Sequence, residues 1–113
     1  MELLVIDSNK EFSHIALSGK LDVEGADQIE TQFQSLTSEA GRSAIVDLEQ
    51  VTYLASLGIR LLFSTAKALA AEGKKIIVVN PKPMVEETLL TSGTVNFIPI
   101  ARGLEEAVTL LRS

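Results

Sequence analysis

Several residue types are absent or scarce in this chain of 113 residues, and each absence removes a class of function. There is no cysteine, which excludes thiol catalysis, cysteine-ligated zinc and a disulfide framework, and which suits a reducing compartment. Lysine and arginine total 10 against 15 aspartates and glutamates, for a net charge of −5. Because binding to phosphate backbones depends on clustered cations, we expect no nucleic-acid partner.

Long apolar runs are missing as well. No stretch approaches the roughly 20 apolar residues of a membrane-spanning helix, so we expect no direct membrane insertion. The start, Met1–Asp7, lacks the basic flank of a secretory signal, which favours a cytoplasmic location. Hydrophobic residues still make up 46% of the chain, enough for a buried core, and the length fits a single domain over residues 1–113.

Apolar runs bounded by turn-forming residues predict five strands. The first two form a hairpin, the third and fourth are buried, and the last lies at a sheet edge because its Pro99 cannot donate a ladder hydrogen bond. A turn is predicted directly after the third strand. In chain order the predicted strands are Leu3–Ile6, Phe12–Leu17, Ala44–Leu48, Ile76–Val79 and Phe97–Ile100.

Apolar residues at steps of three and four predict about four helices. The first follows Asp22 and is closed by Gly41, and the second runs from Ser56 to Gly73. The third spans Met84–Leu90, and a last helix follows from Leu104. With the strands this gives the order ββαβαβαβα, which predicts an α/β fold with a mostly parallel central sheet and an N-terminal hairpin.

Catalytic groups are sparse in the sequence. His14, the single histidine, lies in a strand expected to be solvated on one face, and a lone histidine is weak support for a metal. Ser56, His14 and Asp47 could form a nucleophilic triad on paper, but no serine has the glycine-flanked elbow of hydrolases. Asp47 and Glu49 read as solvated or turn-stabilising acids, and no glycine-rich phosphate loop is present. We therefore expect no enzymatic activity, cofactor or metal.

The unusual segment is Val46–Arg60, a buried strand that turns into a helix beginning at a serine. Ser56 can serve as the N-cap of that helix. It can also accept a phosphate, which the positive end of the helix would stabilise and which would add about two negative charges to a partner-facing surface. Leu57 can either plug an apolar groove of a partner or pack into its own core.

At this segment the sequence resembles the STAS domain family, and within it the stand-alone anti-sigma factor antagonists. Three pieces carry the resemblance: Leu17–Asp22, Val46–Leu48 through Gly58–Ile59, and Val78–Pro81. The resemblance implies a protein that binds a serine-kinase anti-sigma factor and frees the sigma factor. It also implies inactivation when that kinase phosphorylates a serine at the start of the second helix, with a serine phosphatase reversing it.

The sequence departs from that family at the phosphate acceptor. Family members resemble Asp-Ser-Ser-Gly or Asp-Ser-Thr-Gly, with the acceptor directly before the glycine. Here the matching residues are Ala55, Ser56, Leu57 and Gly58, so the acceptor position holds a leucine. Either Ser56 takes the phosphate, or the chain binds its partner without this control.

The resemblance also implies a set of partner contacts around this segment. The expected contacts are Asp22, Leu54, Ala55, Ser56, Leu57, Gly58 and Arg60. STAS domains also accompany membrane transporters, so the alternative function is an accessory subunit of a lipid or anion transporter.

Overall fold

A computed structural model describes all 113 residues as five strands and four helices in the predicted order. A single 3-10 turn, Thr94–Asn96, precedes the last strand. The elements are β1 Glu2–Ser8, β2 Phe12–Leu21, α1 Val23–Leu36, β3 Ser43–Leu54, α2 Ser56–Ala70, β4 Ile76–Val79, α3 Pro83–Thr91, β5 Ile100–Ala101 and α4 Leu104–Arg112.

The five strands form one sheet in the order β1-β2-β3-β4-β5. β1 is antiparallel to β2, as in a hairpin, and the other three pairs are parallel. Each parallel pair needs a crossover, which α1, α2 and α3 provide. The predicted α/β class, with a mostly parallel sheet and an N-terminal hairpin, is confirmed.

The helices cover the two faces of the sheet unequally. The larger core cluster draws on three helices, with Phe33 of α1, Leu62 of α2 and Leu89 of α3 all fully buried. The smaller cluster on the other face contains Ile77 of β4 and Ala107 of α4. None of the four helices combines the length and apolar character that crossing a bilayer requires.

β3 is longer than predicted, because no turn follows Leu48. The strand continues to Leu54 while gaining one extra residue relative to β2 between Asp47 and Gln50, and another just beyond. The backbone N–H of Glu49 donates to Asp47 Oδ1 at 2.9 Å, which supports the first irregularity. Polar residues therefore mark a bulge, which bends a strand without ending it.

Gly41 and Pro99 lie outside the elements in which the sequence analysis places them. α1 ends at Leu36 and not at Gly41, since Thr37 already turns the chain and its Oγ1 donates to the carbonyl of Phe33 at 2.8 Å. Gly41 has φ +64° in the turn that enters β3. Pro99 lies just before β5, which is a two-residue edge strand, so the edge position is confirmed and the predicted strand bounds are wrong.

The expectation that one face of β2 is solvated is wrong around His14. The stretch Phe12–Ile15 is buried on both faces, and His14 is 8% exposed. Its Nε2 is buried without a hydrogen-bond partner. β2 lies between β1 and β3, so neighbouring strands and the cluster around Phe12 cover a position that the sequence places at the surface.

The end of α4 is tied to the β1–β2 turn by an ion pair. Arg112 donates from Nε and Nη2 to the two carboxylate oxygens of Glu11 at 2.8 and 2.9 Å. These side-chain hydrogen bonds hold the pKa of Glu11 below its usual range. The contact holds the end of α4 against the β1–β2 turn. The carboxyl ends of β2 and β3 lie at the opposite end of these strands and take no part in this contact.

Candidate functional site

The carboxyl ends of β2 and β3 meet beside the amino ends of α1 and α2. Leu21, the last residue of β2, pairs with Leu54, the last residue of β3. The backbone N–H of Ala55 then donates to the carbonyl oxygen of Leu21 at 3.0 Å. Binding sites of parallel sheets commonly form at this edge, because the loops that leave the strands converge there.

Two glycines bring both helices close to the end of β2. Gly25 and Gly58 are the third residues of α1 and α2. A Cβ on Gly25 would collide with the carbonyl oxygen of Lys20, and one on Gly58 would lie 2.5 Å from that of Leu21. In sequence these glycines look isolated and form no phosphate loop, but the structure requires both for close backbone approach.

The predicted N-cap role of Ser56 is wrong. Ala55, with φ −108° and ψ 175°, holds the N-cap position of α2 and offers no side-chain hydrogen bond. Ser56 is the first residue with helical geometry, so its hydroxyl is already past the capping position. The Ser56 side chain is exposed and its hydroxyl makes no hydrogen bond within the protein.

Asp22 holds the corresponding position in α1 and does act as a cap. Its Oδ1 accepts a hydrogen bond from the backbone N–H of Gly25 at 2.9 Å. The side chain is partly buried. Asp22 therefore stabilises the start of α1, the structural role that its position before the helix predicts.

The seven expected partner contacts differ in exposure. Leu54 is 5% exposed and belongs to the main core, and Gly58 is buried against Leu21. These two support the loop from beneath and are the least accessible of the seven to a partner. From exposed to buried, the seven are Ser56, Leu57 and Arg60, then Asp22 and Ala55, then Leu54 and Gly58.

Leu57 faces solvent beside a second exposed apolar side chain. The structure does not pack Leu57 into the protein's own core: 38% of the residue's surface is accessible to solvent. Val23, the first residue of α1, is 61% exposed, and both residues line the same groove between α1 and α2. An apolar pair at the mouth of a groove suits contact with another protein.

The groove between α1 and α2 has a volume of about 530 Å³. Arg60 lines it. The two ion pairs of the protein involve Arg102 and Arg112, so the Arg60 guanidinium has no carboxylate partner within the chain. The groove thus combines an apolar mouth, a free cation and carboxylates. The residues that line it are Val23, Glu24, Ala26, Asp27, Glu30, Leu57, Arg60, Leu61 and Ser64.

A second cavity of about 370 Å³ lies on the other side of α2. Ser56 and Arg60 reach it from the start of α2. Phe63 and Phe97 form its apolar side, with ring centroids 5.0 Å apart at an angle of 86°. The sequence misses this cavity because Phe97 is predicted to lie in a strand, whereas it follows the 3-10 turn and is 62% exposed.

The hypothetical nucleophilic triad of Ser56, His14 and Asp47 does not form in the structure. His14 pairs with Ile45 in the first part of the sheet, while Ser56 follows the end of β3. At about 3.3 Å per strand residue, the two lie more than roughly 20 Å apart. No group of three or more histidine, aspartate or glutamate side chains is placed to hold a metal ion.

Comparisons with known proteins agree with this architecture. The family model described as STAS domain matches residues 4–107. The chain is similar to the protein BtrV of Bordetella bronchiseptica, with 26% identity over 97 residues that cover 86% of this chain and 84% of BtrV. It is also similar to the anti-sigma-B factor antagonist of Staphylococcus aureus, with 24% identity over 95 residues, 84% of this chain and 88% of that protein.

A solved structure with a similar fold is that of the anti-sigma factor antagonist SpoIIAA in its unphosphorylated form. The two structures superpose with a TM-score of 0.78 at 25% sequence identity. The match covers 98% of this chain and 96% of SpoIIAA. The similarity therefore extends over nearly the whole length of both chains.

The capping assignments predict different costs for two polar-to-alanine changes. Asp22→Ala should lower the free energy of unfolding by about 1 kcal/mol, because the Gly25 N–H loses its partner. Ser56→Ala should change it by less than about 0.5 kcal/mol, because the Ser56 hydroxyl bonds to nothing in the protein. Urea unfolding followed by circular dichroism measures both, and equal losses in the two variants would show that Ser56 does cap α2.

Proposed function

The chain belongs to the STAS domain family, and on that premise we propose that it acts in the cytoplasm as an anti-sigma factor antagonist. It binds a serine-kinase anti-sigma factor through the amino end of α2 and thereby frees the sigma factor. The name of the Staphylococcus aureus relative and the SpoIIAA structure support this role. The observation that carries the proposal is the exposure of Ser56, Leu57 and Arg60 beside the α1–α2 groove.

Leu57 provides the apolar part of the proposed contact. A fully buried leucine contributes about 1.5–3 kcal/mol relative to an exposed one, and because Leu57 is 38% exposed, covering the rest of its surface adds roughly 1 kcal/mol. Val23 extends the apolar contact across the groove. A few residues at the centre of a patch commonly dominate the energy of a protein interface, and the contacts around them exclude water.

Arg60 provides the charged part of the contact. Its guanidinium is exposed and unpaired, so an incoming carboxylate can bind it without displacing an internal partner. Bidentate binding would give both affinity and orientation. Glu24, Asp27 and Glu30 line the same groove, which leaves carboxylates for cations on the partner.

Ser56 is the proposed site for control by phosphate. Its hydroxyl is exposed, makes no hydrogen bond and lies at the positive end of α2. Ser56 and Arg60 are four residues apart on the helix and line the same cavity, so a phosphate on the serine would draw the guanidinium to itself. The modification would add negative charge and remove the free cation in a single step.

Binding measurements test the proposed surface. Arg60→Ala should weaken binding to the anti-sigma kinase by about tenfold or more and Leu57→Ala by about fivefold, measured by titration calorimetry. Leu104→Ala is the matched control, because Leu104 is 46% exposed but lies on α4, across the sheet. Full affinity in both test variants would contradict the proposed surface.

Co-purification with a transporter's ATPase subunit would instead favour the accessory-subunit alternative.

Phosphate control is tested with the purified protein, ATP and the anti-sigma kinase. We expect intact-mass spectrometry to show one added phosphate on the wild-type chain and none on Ser56→Ala. Ser56→Asp should bind the kinase at least about tenfold more weakly than the wild type. An unmodified wild-type chain that binds normally would mean that the leucine at the family's acceptor position makes binding constitutive.

A further inference from the structure

The two edges of the sheet differ in how they are protected. β5, at one edge, has two residues, follows Pro99 and precedes Arg102, which is paired with Glu86. β1, at the other edge, has seven residues and contains neither lysine nor proline. Short strands, prolines and edge charges are the usual means of preventing strand addition; β1 is longer, and its two charges, Glu2 and Asp7, flank its apolar centre, so it is the edge more open to pairing.

β1 exposes three consecutive apolar side chains. Leu4, Val5 and Ile6 are 64%, 39% and 49% exposed. Leu4 pairs with Ala16 and Val5 with Ile15, so these two side chains point to opposite faces of the sheet. A helix docked on one face would cover only one of them, whereas a strand added at the edge contacts both.

We propose that β1 pairs antiparallel with β1 of a second copy of this chain, with Val5 next to Val5 across a two-fold axis. Such an interface is isologous, so one sequence must complement itself. In this register Leu4 lies opposite Ile6 of the second copy, so the three exposed apolar residues meet one another, while Leu3 lies opposite Asp7. The sheet then continues without a break from one copy to the other.

Charge supports the second copy as the occupant. With Val5 on the axis, Glu2 approaches the Ser8 end of the other strand and stays out of register with the second copy's Asp7. Arg42 lies at that end, where its Nη1 donates to Ser8 Oγ at 2.7 Å, and it has no carboxylate partner within its own chain. Each Glu2 thus lies near the unpaired Arg42 guanidinium of the other copy, with one such pair at each end of the interface.

The bulge in β1 is compatible with this pairing. It lies between Val5 and Asp7, so the regular segment Glu2–Val5 of each copy faces the bulged segment of the other, and the axis places one bulge on either side of the Val5 pair. No residue of β1 lines the α1–α2 groove, and a dimer through β1 leaves both grooves open. The dimer is therefore independent of the proposed sigma-pathway role, and either can fail without the other.

Charge substitution on the axis tests the pairing. Wild-type protein should sediment as a dimer that dissociates on dilution. Val5→Lys and Val5→Glu should each be monomeric alone, because like charges meet at the axis, and an equimolar mixture should regain the dimer. Leu104→Lys, on α4, should leave the wild-type dimer unchanged. Wild-type protein that is monomeric at its highest soluble concentration, or a Val5→Lys variant that still dimerises, would overturn the proposal.

A second pair of variants covers the case in which substitution at Val5 unfolds the chain, as seen by circular dichroism. Glu2→Arg should weaken the dimer by about tenfold or more, and adding Arg42→Glu to the same chain should recover it. Both side chains lie outside the hydrophobic core, so these variants should fold. Equal dimer stability in Glu2→Arg and wild type would contradict the proposed register.

Discussion

The close approach of α2 to the end of β2 is the constraint on which the site depends. The carbonyl oxygen of Leu21 accepts from the Ala55 N–H, and the absence of a side chain on Gly58 lets the helix pack against the same carbonyl. Together these contacts fix where α2 begins and which of its residues face outward. Ser56, Leu57 and Arg60 are exposed because Leu54 and Gly58 are held beneath them.

The same constraint separates stability from recognition. Residues that position the loop are buried or half-buried and either pack against or bond to the end of β2, whereas Ser56, Leu57 and Arg60, proposed to contact a partner, are exposed. Ser56 is the clearest case, since its hydroxyl is free and the cap position of α2 is an alanine. A serine without a structural role can be modified without unfolding the helix that presents it.

Much of the fold follows from local sequence patterns. Helical periodicity identifies all four helices, and the alternation of strands and helices identifies the parallel sheet. The local sequence pattern fails at positions whose strand bounds or burial are determined by tertiary contacts. β3 continues through Asp47 and Glu49 because β2 pairs with it on both sides of a bulge, and His14 is buried because neighbouring elements cover a strand that looks half-solvated in isolation.

The site is predicted less completely than the fold. The segment around Ser56 can be located from sequence, but the difference between an N-cap and a first helical residue depends on the dihedral angles of Ala55. The groove depends on the packing of α1 against α2, so Val23 carries no local signal for its role there. Gly25 and Gly58 are visible in the sequence, yet the carbonyls that they approach are not.

The central claim is that the amino end of α2, with the groove beside it, is the surface that meets the anti-sigma factor. Hydrogen exchange of backbone amides, measured for the protein alone and in complex with the anti-sigma kinase, tests it most directly. The account predicts slower exchange on binding in residues 55–64 and 23–30, and unchanged exchange in α4. Protection confined to α4, with none at the start of α2, would contradict it.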